Sequence, residues 1–203
     1  MNAVLSPAPP RSAMTRFQLD AEHHVLLGRL PDAALPSVSG FETLWNLHPD
    51  GFRTIQLHSR LVQLPRWQQA YGRDYRFSGQ INEALPIPPD FLPFLTWGRE
   101  AIDPHLDSML VNWYDGTLGH YIGRHRDSAI GMRQGAPIVT VSLGETRIFR
   151  MRKWRGDGQH DFSVDHGSVI VIPYDTNRAW THEIVKSKRA TGRRISITMR
   201  AFD

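Results

Sequence analysis

Seven short segments rich in β-branched and aromatic residues follow one another through the second half of the chain, and they constrain its fold more than any other feature. Turn-forming pairs such as Asp115-Gly116 and Asp157-Gly158 separate them at roughly the 8 to 20 residue spacing of an antiparallel sandwich or jelly roll. The segments are SMLVNWY, PIVTVSL, TRIFRMRKW, HDFSV, GSVIVIP, AWTHEIV and RRISITMRAF. This pattern predicts a β core made of two facing sheets.

The first half of the chain predicts two helices. One covers residues 41–48 and ends before Pro49. The other runs from Asp90 as its N-cap to residue 103, with Pro93 in the first turn, where a missing N–H costs little. Helices followed by a run of strands indicate an α+β, mainly β, chain in which the helices buttress the β core.

The chain reads as a single folded unit with a tail. Residues 1–16 contain several prolines and few apolar side chains, and we expect a mobile N-terminal tail there. No linker, repeat or low-complexity run divides residues 17–203, which we expect to form a single domain.

The composition limits the chemistry that this domain can perform. The chain has no Cys, which excludes disulfides, thiolate nucleophiles and Cys-ligated metal sites, so any metal must bind to His, Asp or Glu. A net charge of +4 favours an anionic partner, of which nucleic acid is the leading candidate. No segment approaches the roughly 20 apolar residues of a membrane span, and no signal-peptide pattern opens the chain. We expect a cytoplasmic monomer with no membrane partner.

The triplet His-x-Asp is a candidate metal-binding motif, because it lets an imidazole and a carboxylate from one extended segment point the same way. It occurs at residues 48–50, 105–107 and 125–127. The first lies at a predicted helix end and the second follows Pro104, and both are typical of solvated turns. The third lies between two predicted strands, at the mouth of the β core, where rigid elements can hold ligands.

A second histidine would complete a set of two His and one carboxylate, which leaves three positions open on Fe(II). His160 and His166 lie in a polar loop and a turn, whereas His182 lies in the predicted strand AWTHEIV. His182 is therefore the best geometric partner for His125 and Asp127.

The C-terminal segment RISITMR alternates strictly between polar and apolar residues, so one face of the strand packs and the other is polar. The polar face carries Arg194, Ser196, Thr198 and Arg200, and the apolar face carries Ile195, Ile197 and Met199. The polar face either contacts water on an edge strand or lines a cavity in which a guanidinium binds a carboxylate.

Taken in order, these motifs resemble the AlkB family of Fe(II)- and 2-oxoglutarate-dependent dioxygenases, and we expect a bacterial member. The carrying motifs are N-W-Y at 112–114, H-R-D at 125–127, His182 and R-x-S-x-T-x-R at 194–200. Upstream, LPRWQQAYG and YRFSG resemble the nucleotide-recognition segment of that family. The resemblance implies a double-stranded β-helix (jelly-roll) core with N-terminal buttressing helices and a nucleotide-recognition lid.

The resemblance also implies a role for each matching residue. His125, Asp127 and His182 would ligate Fe(II), and Arg194 would pair with the distal carboxylate of 2-oxoglutarate. The cosubstrate pocket would be completed by Asn112, Tyr114, Ser196 and Arg200.

Two positions depart from the family pattern. Ser196 stands where the family usually has Asn, which shortens a hydrogen-bonding side chain next to the cosubstrate. The residues after Asp127 are Ser128, Ala129 and Ile130, whereas members that demethylate bases often carry acidic residues there. We therefore expect slower or broader selection among alkylated bases.

The function that this resemblance implies is oxidative removal of alkyl groups from bases of DNA or RNA, with 2-oxoglutarate and O2 as cosubstrates and succinate, CO2 and formaldehyde as products. Base contacts are expected from Trp67, Tyr75, Phe77 and Ser128. Two stretches rich in Lys and Arg, 147–155 and 186–193, would contact phosphates. Two alternatives remain: a hydroxylase of a small metabolite or protein side chain, and a non-catalytic nucleic-acid-binding module. The complete set of ligands and arginines disfavours the second.

Overall fold

A computed structural model describes residues 14–57, 60–77 and 80–203. In the first half, short strands alternate with helical turns. In chain order these elements are β1 (Thr15–Gln18), β2 (His24–Arg29), a 3-10 turn (Asp32–Ala34), α1 (Val38–Trp45), β3 (Thr54–Leu57), β4 (Arg60–Gln63), β5 (Trp67–Tyr71), β6 (Tyr75–Phe77), β7 (Gln80–Asn82), β8 (Ala84–Leu85), a second 3-10 turn (Pro89–Phe91) and α2 (Leu92–Ala101).

The second half is almost entirely β-structure. Its elements are β9 (Ser108–Asp115), β10 (Ile122–His125), β11 (Ile138–Gly144), β12 (Arg147–Lys153), β13 (Gln159–Val164), β14 (Ser168–Ile172), α3 (Tyr174–Ala179), β15 (Trp180–Ile184) and β16 (Arg193–Arg200). The seven predicted strands are confirmed as β9 and β11 to β16. The short strand β10 and helix α3 were not predicted, because neither carries a clear hydrophobic period.

Both predicted helices exist, with corrected ends. Helix α1 starts earlier than expected, because the hydroxyl of Ser37 accepts a hydrogen bond from the N–H of Gly40 at 3.2 Å and so caps the first turn. Asp90 is not the N-cap of α2. It lies inside the second 3-10 turn, which starts at Pro89, and the N-cap residue of α2 is Phe91, without a side-chain cap.

The first strand starts before the expected domain boundary. Thr15 pairs with Leu27 of β2, and Phe17 packs edge-on against Phe162 with ring centroids 5.0 Å apart. Residues 15 and 16 therefore belong to the sheet and not to the predicted tail, while residues 1–13 of that tail lie outside the described residues.

Two sheets form the β core. The larger has the order β1-β2-β14-β11-β16-β9-β5-β8, and the smaller has the order β10-β15-β12-β13. Helices α1 and α2 pack on one face of the larger sheet, where the Trp113 indole N–H donates to the carbonyl of Leu44 at 2.9 Å. The helices therefore buttress the core as predicted, and the other face of this sheet is left to meet the smaller sheet.

Strand β16 shows how the sequence builds both faces. Ile195, Ile197 and Met199 are buried in the cluster that includes the two helices. The alternate residues Ser196 and Thr198 point to the space between the sheets. The polar face of β16 thus lines a cavity, which decides between the two interpretations of its alternating pattern.

Two hairpins stand outside the core. Strand β3 pairs with β4, and β6 pairs with β7, each antiparallel. Both hairpins contribute residues to the wall of a wide cavity at one end of the core, which is the position of a lid. No helix within the described ranges is long and apolar enough to cross a membrane.

Candidate functional site

The residues of the third His-x-Asp triplet and His182 meet at the edge of the smaller sheet. Strands β10 and β15 are antiparallel neighbours in which His125 and His182 are directly paired, and Asp127 follows two residues after the end of β10. The Nε2 atoms of His125 and His182 lie 3.5 and 3.6 Å from Oδ1 of Asp127. One donor atom from each residue lies within 4.8 Å of the others. The structure thus brings together the three predicted metal ligands.

The other two triplets do not form such a cluster. The ring of His48 stacks on Trp67, with centroids 4.3 Å apart, so this residue is part of an aromatic cluster and not of a solvated turn. His105 lies in a turn, as expected, with Nδ1 2.9 Å from a carboxylate oxygen of Asp103.

Both imidazoles are oriented with Nε2 toward the carboxylate. The Nδ1 of His125 lies 2.8 Å from the backbone oxygen of Gly123, to which it can donate only as Nδ1–H, and this tautomer leaves the Nε2 lone pair free. The ring of His182 stacks on Phe149 at an interplanar angle of 8°. Burial lowers the pKa of His182 to about 3, so its imidazole is neutral near pH 7, which is the form that ligates metals.

The carboxylate of Asp127 is ionised and firmly held. Nε and Nη2 of Arg200 donate to its Oδ2 at 3.0 and 2.5 Å. Burial raises the pKa of Asp127, but the Arg200 charge and the adjacent histidines outweigh burial and hold it well below its usual range. The side-chain amide of Asn177 accepts from the backbone N–H of Asp127 and donates to its carbonyl, both at 3.0 Å.

Two imidazoles and one ionised carboxylate form the donor set that Fe(II) oxygenases use. The Nε2 atoms of the two histidines and Oδ1 of the carboxylate face one another, while Arg200 binds the other carboxylate oxygen, Oδ2. The residues present therefore fit a divalent metal.

A narrow cavity adjoins this cluster between the two sheets. Its wall includes the three candidate ligands and also the four residues expected to complete the cosubstrate pocket, Asn112, Tyr114, Ser196 and Arg200. The structure brings this predicted set together. It also shows that two N–H groups of Arg200 donate to Asp127, a contact that the sequence pattern did not indicate.

Arg194 lies further along the same face of β16 and is fully buried, with an exposed fraction of 0%. Its Nη2 donates to the hydroxyl of Ser142 at 2.8 Å, while Nε and Nη1 have no hydrogen-bond partner among the described residues. Burial lowers the pKa of Arg194 to about 10, which leaves the guanidinium charged near neutral pH. A buried cation with unused donors indicates that an anionic group binds here, and the carboxylate of a dicarboxylic acid fits.

Sequence reasoning missed several buried polar residues around the pocket. Nε of Arg66 donates to Oδ1 of Asn112 at 2.7 Å, and Nη2 donates to Gln68 at 2.8 Å. The alternation of these two polar residues in LPRWQQAYG could have indicated an inward-facing polar side. Asn177 could not have been found, because its short helix has no distinctive pattern.

A wide cavity with a volume of about 1120 Å³ opens beside the candidate ligands. Tyr75, Phe77 and Ser128, three of the expected base contacts, line it. Trp67, the fourth, does not. It packs into the aromatic cluster with His48 and Phe52, because β5 turns this side chain toward α1.

The side chain of Tyr75 is more constrained than that of a tyrosine free to stack on a base. It is buried, its hydroxyl accepts from the N–H of Ser128 at 3.1 Å, and its ring centroid lies 4.4 Å from Cζ of Arg200. Tyr75 therefore supports the arginine that binds Asp127, while Phe77, which stacks on it at 5.8 Å, is partly exposed to the cavity.

The first basic stretch, 147–155, is not a free cationic surface, contrary to the expectation from the sequence. In the second, 186–193, Arg193 is the one side chain with an ion pair among the described residues, so the expectation there stays a prediction. Carboxylates from neighbouring elements neutralise four side chains of the two stretches, and Arg147 is buried. The ion pairs are Arg150–Asp161, Arg152–Glu183, Lys153–Asp20 and Arg193–Glu42, with N···O distances of 2.6, 3.0, 3.0 and 2.8 Å. The fold brings in acids that a count along the chain does not include, from strands β13 and β15, helix α1 and the turn after β1.

Unpaired positive charge also lies around the wide cavity. Four exposed arginines line it, and within the described residues none has a carboxylate oxygen within 4.0 Å. They are Arg76, Arg124, Arg126 and Arg178. We call these four residues the arginine rim.

Comparisons with known proteins agree with this geometry. Residues 42–200 match the family model described as the 2OG-Fe(II) oxygenase superfamily. The chain is 30% identical over 157 residues to the mouse (Mus musculus) protein named DNA oxidative demethylase ALKBH2, covering 72% of this chain and 65% of that protein. It is 28% identical over 161 residues to the cattle (Bos taurus) protein of the same name, covering 72% and 56%.

A second group of relatives and one solved structure extend this picture. The cattle protein named alpha-ketoglutarate-dependent dioxygenase alkB homolog 3 is 27% identical over 173 residues, covering 80% of this chain and 60% of that protein. The match therefore spans 56% to 65% of the length of these three relatives. A solved structure of OsALKBH1 superposes with a TM-score of 0.63 at 16% identity, covering 93% of this chain and 100% of the other, which supports the fold. The chain belongs to the 2OG-Fe(II) oxygenase superfamily and, within it, to the AlkB family.

Proposed function

We propose that this protein is an Fe(II)- and 2-oxoglutarate-dependent dioxygenase that removes alkyl groups from nucleic-acid bases by oxidation. The observation that carries the proposal is the meeting of His125, Asp127 and His182 at a narrow cavity, together with the buried, partly unpartnered guanidinium of Arg194 one inward position beyond the cavity wall on β16. This combination offers a metal site for Fe(II) and, near it, a cation that can bind a carboxylate of 2-oxoglutarate. An Fe(II)- and 2-oxoglutarate-dependent enzyme requires both.

In this proposal each residue has a defined task. His125, Asp127 and His182 hold Fe(II), and Arg194 binds the distal carboxylate of 2-oxoglutarate. The pocket wall is completed by Asn112, Tyr114, Ser196 and Arg200. Fe(II) with 2-oxoglutarate and O2 supplies the oxidant for a C–H bond of the alkyl group, with succinate and CO2 formed from the cosubstrate. Hydroxylation of an N-methyl group gives a product that releases formaldehyde.

The chain's own residues position the groups and exclude water. Arg200 fixes the carboxylate of Asp127 and Asn177 fixes its backbone, so that Oδ1 stays directed to the two Nε2 atoms. Phe149 covers one face of His182, and Phe77 borders the wide cavity in which the target base would lie. Such placement of an alkyl carbon next to the metal is the protein's contribution to the rate.

Nucleic acid is supported as the substrate by three observations. Relatives are named DNA oxidative demethylases. The wide cavity is large enough for an extruded base, and the arginine rim surrounds its mouth with charge that suits phosphates. We propose that the rim, and not the first basic stretch, contacts the backbone.

The cavity also bears on which lesions are processed. Among the described residues of its wall, Asp127 is the one acid, and Arg200 already pairs with it. A positively charged alkylated base would meet no additional counter-charge there. We therefore propose that neutral alkylated bases are processed at least as well as cationic ones.

The metal and cosubstrate part of the proposal is tested by anaerobic titration of the protein with Fe(II) and 2-oxoglutarate. Binding of both together gives a metal-to-ligand charge-transfer absorption band. The band should appear with the unmodified chain and with His105→Ala, and it should be lost with His125→Ala, Asp127→Ala or His182→Ala. A band that survives all three changes would mean that the metal binds elsewhere.

We further propose that residues 15–203 form a single domain, two residues longer than the range expected from the sequence, and that the protein acts as a monomer in the cytoplasm. The first two points are supported by a complete donor set on one chain, and the location rests on the sequence. Size-exclusion chromatography with light scattering tests the monomer directly.

A further inference from the structure

Arg147, the first residue of β12, is buried although its charge would suit an exposed surface. Its exposed fraction is 3%. Nη2 donates to the backbone oxygens of His120 and Val185 at 2.9 and 3.1 Å. Nε and Nη1 are also buried, and they have no hydrogen-bond partner among the described residues. Two donors of a buried cation are thus unused.

The strand pattern directs Arg147 into the space between the sheets. Buried residues alternate along β12 from Arg147 onward, and the next inward residue, Phe149, lines the narrow cavity. On the facing sheet, Arg194 stands in the equivalent relation to Ser196, which also lines that cavity. Each arginine is therefore one inward position beyond the cavity wall on its own strand.

Tyr114 lies beside Arg194. The centroid of its ring is 5.0 Å from Cζ of Arg194. Burial lowers the pKa of both guanidinium groups, and the charge of Tyr114 raises both. The positive charge of Arg147 lowers the pKa of Arg194 further. The two cations thus repel each other across a space from which water is largely excluded.

No carboxylate of the described part of the chain forms an ion pair with either arginine. Neither arginine has a carboxylate oxygen within 4.0 Å in those ranges. The charge of Glu145 raises the pKa of Arg147, but Oε1 of Glu145 accepts from the N–H groups of Thr191 and Gly192, both at 2.8 Å. Burial of a cation without an ion-paired partner is unfavourable. The arrangement is therefore suited to a bound anion.

We propose that Arg147 and Arg194 together bind the distal carboxylate of 2-oxoglutarate, an inference that rests on the proposed function. A carboxylate offers about four acceptor positions on its two oxygens. The two side chains offer four unpartnered N–H nitrogens, Nε and Nη1 of each. Arg147 is thus a second residue that selects a dicarboxylate as the cosubstrate.

The test compares affinities for 2-oxoglutarate in anaerobic titrations of the full, Fe(II)-loaded chain, followed by the charge-transfer band. Arg147→Met keeps the length of the side chain and removes its charge, and it should raise the Kd at least about tenfold. Arg147→Lys should give a smaller rise, because it restores the charge without the planar set of donors. Arg150→Met, the same change at an ion-paired position on the same strand, should leave the Kd unchanged.

The analogue 2-oxopentanoate separates binding from folding, because it chelates metal in the same way and lacks the distal carboxylate. Its Kd should agree within about twofold between the unmodified chain and Arg147→Met. Equal weakening of both ligands, or an unchanged Kd for 2-oxoglutarate, would overturn the inference. If Arg147→Met does not fold, as judged by thermal unfolding, the same two-ligand comparison with Arg147→Lys decides. Absence of the band in the unmodified chain would contradict the proposed function instead.

Discussion

Asp127 is fixed on both its backbone and its side chain, and at the scale of single residues this makes the site rigid. Arg200 binds one carboxylate oxygen, the two histidines face the other, and Asn177 binds the backbone N–H and carbonyl. Groups that orient a metal ligand are needed for affinity as well as the ligands themselves.

Asn177→Ala removes both hydrogen bonds from the backbone of Asp127 and should lower the affinity for Fe(II) by about 10- to 100-fold. The measurement is a competition titration with a metal-sensitive dye under anaerobic conditions. Asn46→Ala, at the exposed end of α1, is the matched control and should bind metal as the unmodified chain does. Equal metal affinity in the two variants would show that Asn177 does not orient the ligand.

At the scale of elements, Asp20 connects the turn after β1 to the smaller sheet. Its Oδ1 accepts from the backbone N–H groups of Glu22 and His23 at 2.9 and 2.8 Å. Its Oδ2 lies 3.2 Å from the Trp180 indole nitrogen and 3.0 Å from Nζ of Lys153. Burial raises the pKa of Asp20, but these hydrogen bonds together lower it below its usual value.

A carboxylate with a lowered folded-state pKa stabilises the fold above its unfolded pKa of about 3.9, and this stabilisation is lost as the pH falls toward the folded value. Asp20→Asn should therefore reduce the free energy of unfolding at pH 7 by about 1 to 3 kcal/mol. The difference from the unmodified chain should shrink at pH 3.5. Urea denaturation at the two pH values measures this, with Glu22→Gln as an exposed control. A deficit that is equal at both values would contradict the assigned role.

The elements also show what the sequence could predict and what it could not. The two faces of strand β16 were predictable residue by residue, because its polar and apolar residues alternate with a strict period of two and the apolar face packs on the helices. Whether the polar face met water or a cavity was not, because that depends on the facing sheet. The pairing of β10 with β15, which brings His125 beside His182, follows from the resemblance and not from any local pattern. Trp67 and Arg147 were misjudged because their surroundings come from strands and helices distant in the chain, which residue type does not reveal.

At the scale of the whole molecule, positive charge in the fold is not concentrated where Lys and Arg cluster along the sequence. Strand pairing neutralises the basic stretch of β12 with acids from other elements, whereas the arginine rim gathers charge from β6, β10 and α3 around one opening. We therefore expect a polyanion to be attracted to this molecule, which has a net charge of +4, mainly at the arginine rim.

Removal of two rim charges should lower the salt dependence of oligonucleotide binding. In Arg76→Gln with Arg178→Gln, the slope of log K against log salt should fall by about 1.4 to 1.8, because each phosphate contact releases a counterion. Arg150→Gln with Arg152→Gln, which removes two paired arginines, should change the slope by less than about half a unit. If the second pair has the larger effect, the backbone follows β12 and not the rim.

The central claim, oxidative dealkylation at the site of His125, Asp127 and His182, is tested most directly by mass spectrometry of turnover. An oligonucleotide with one N-methylated base is incubated in air with the protein, Fe(II) and 2-oxoglutarate, beside a strand with a neutral etheno adduct. The account predicts repaired base, with formaldehyde and succinate in equal amounts from the methylated strand. Asp127→Ala should abolish all three products, and Asp107→Ala should leave them nearly intact. Failure to repair either strand, in a protein that still shows the charge-transfer band, would contradict the claim and favour a hydroxylase of a small metabolite or protein side chain.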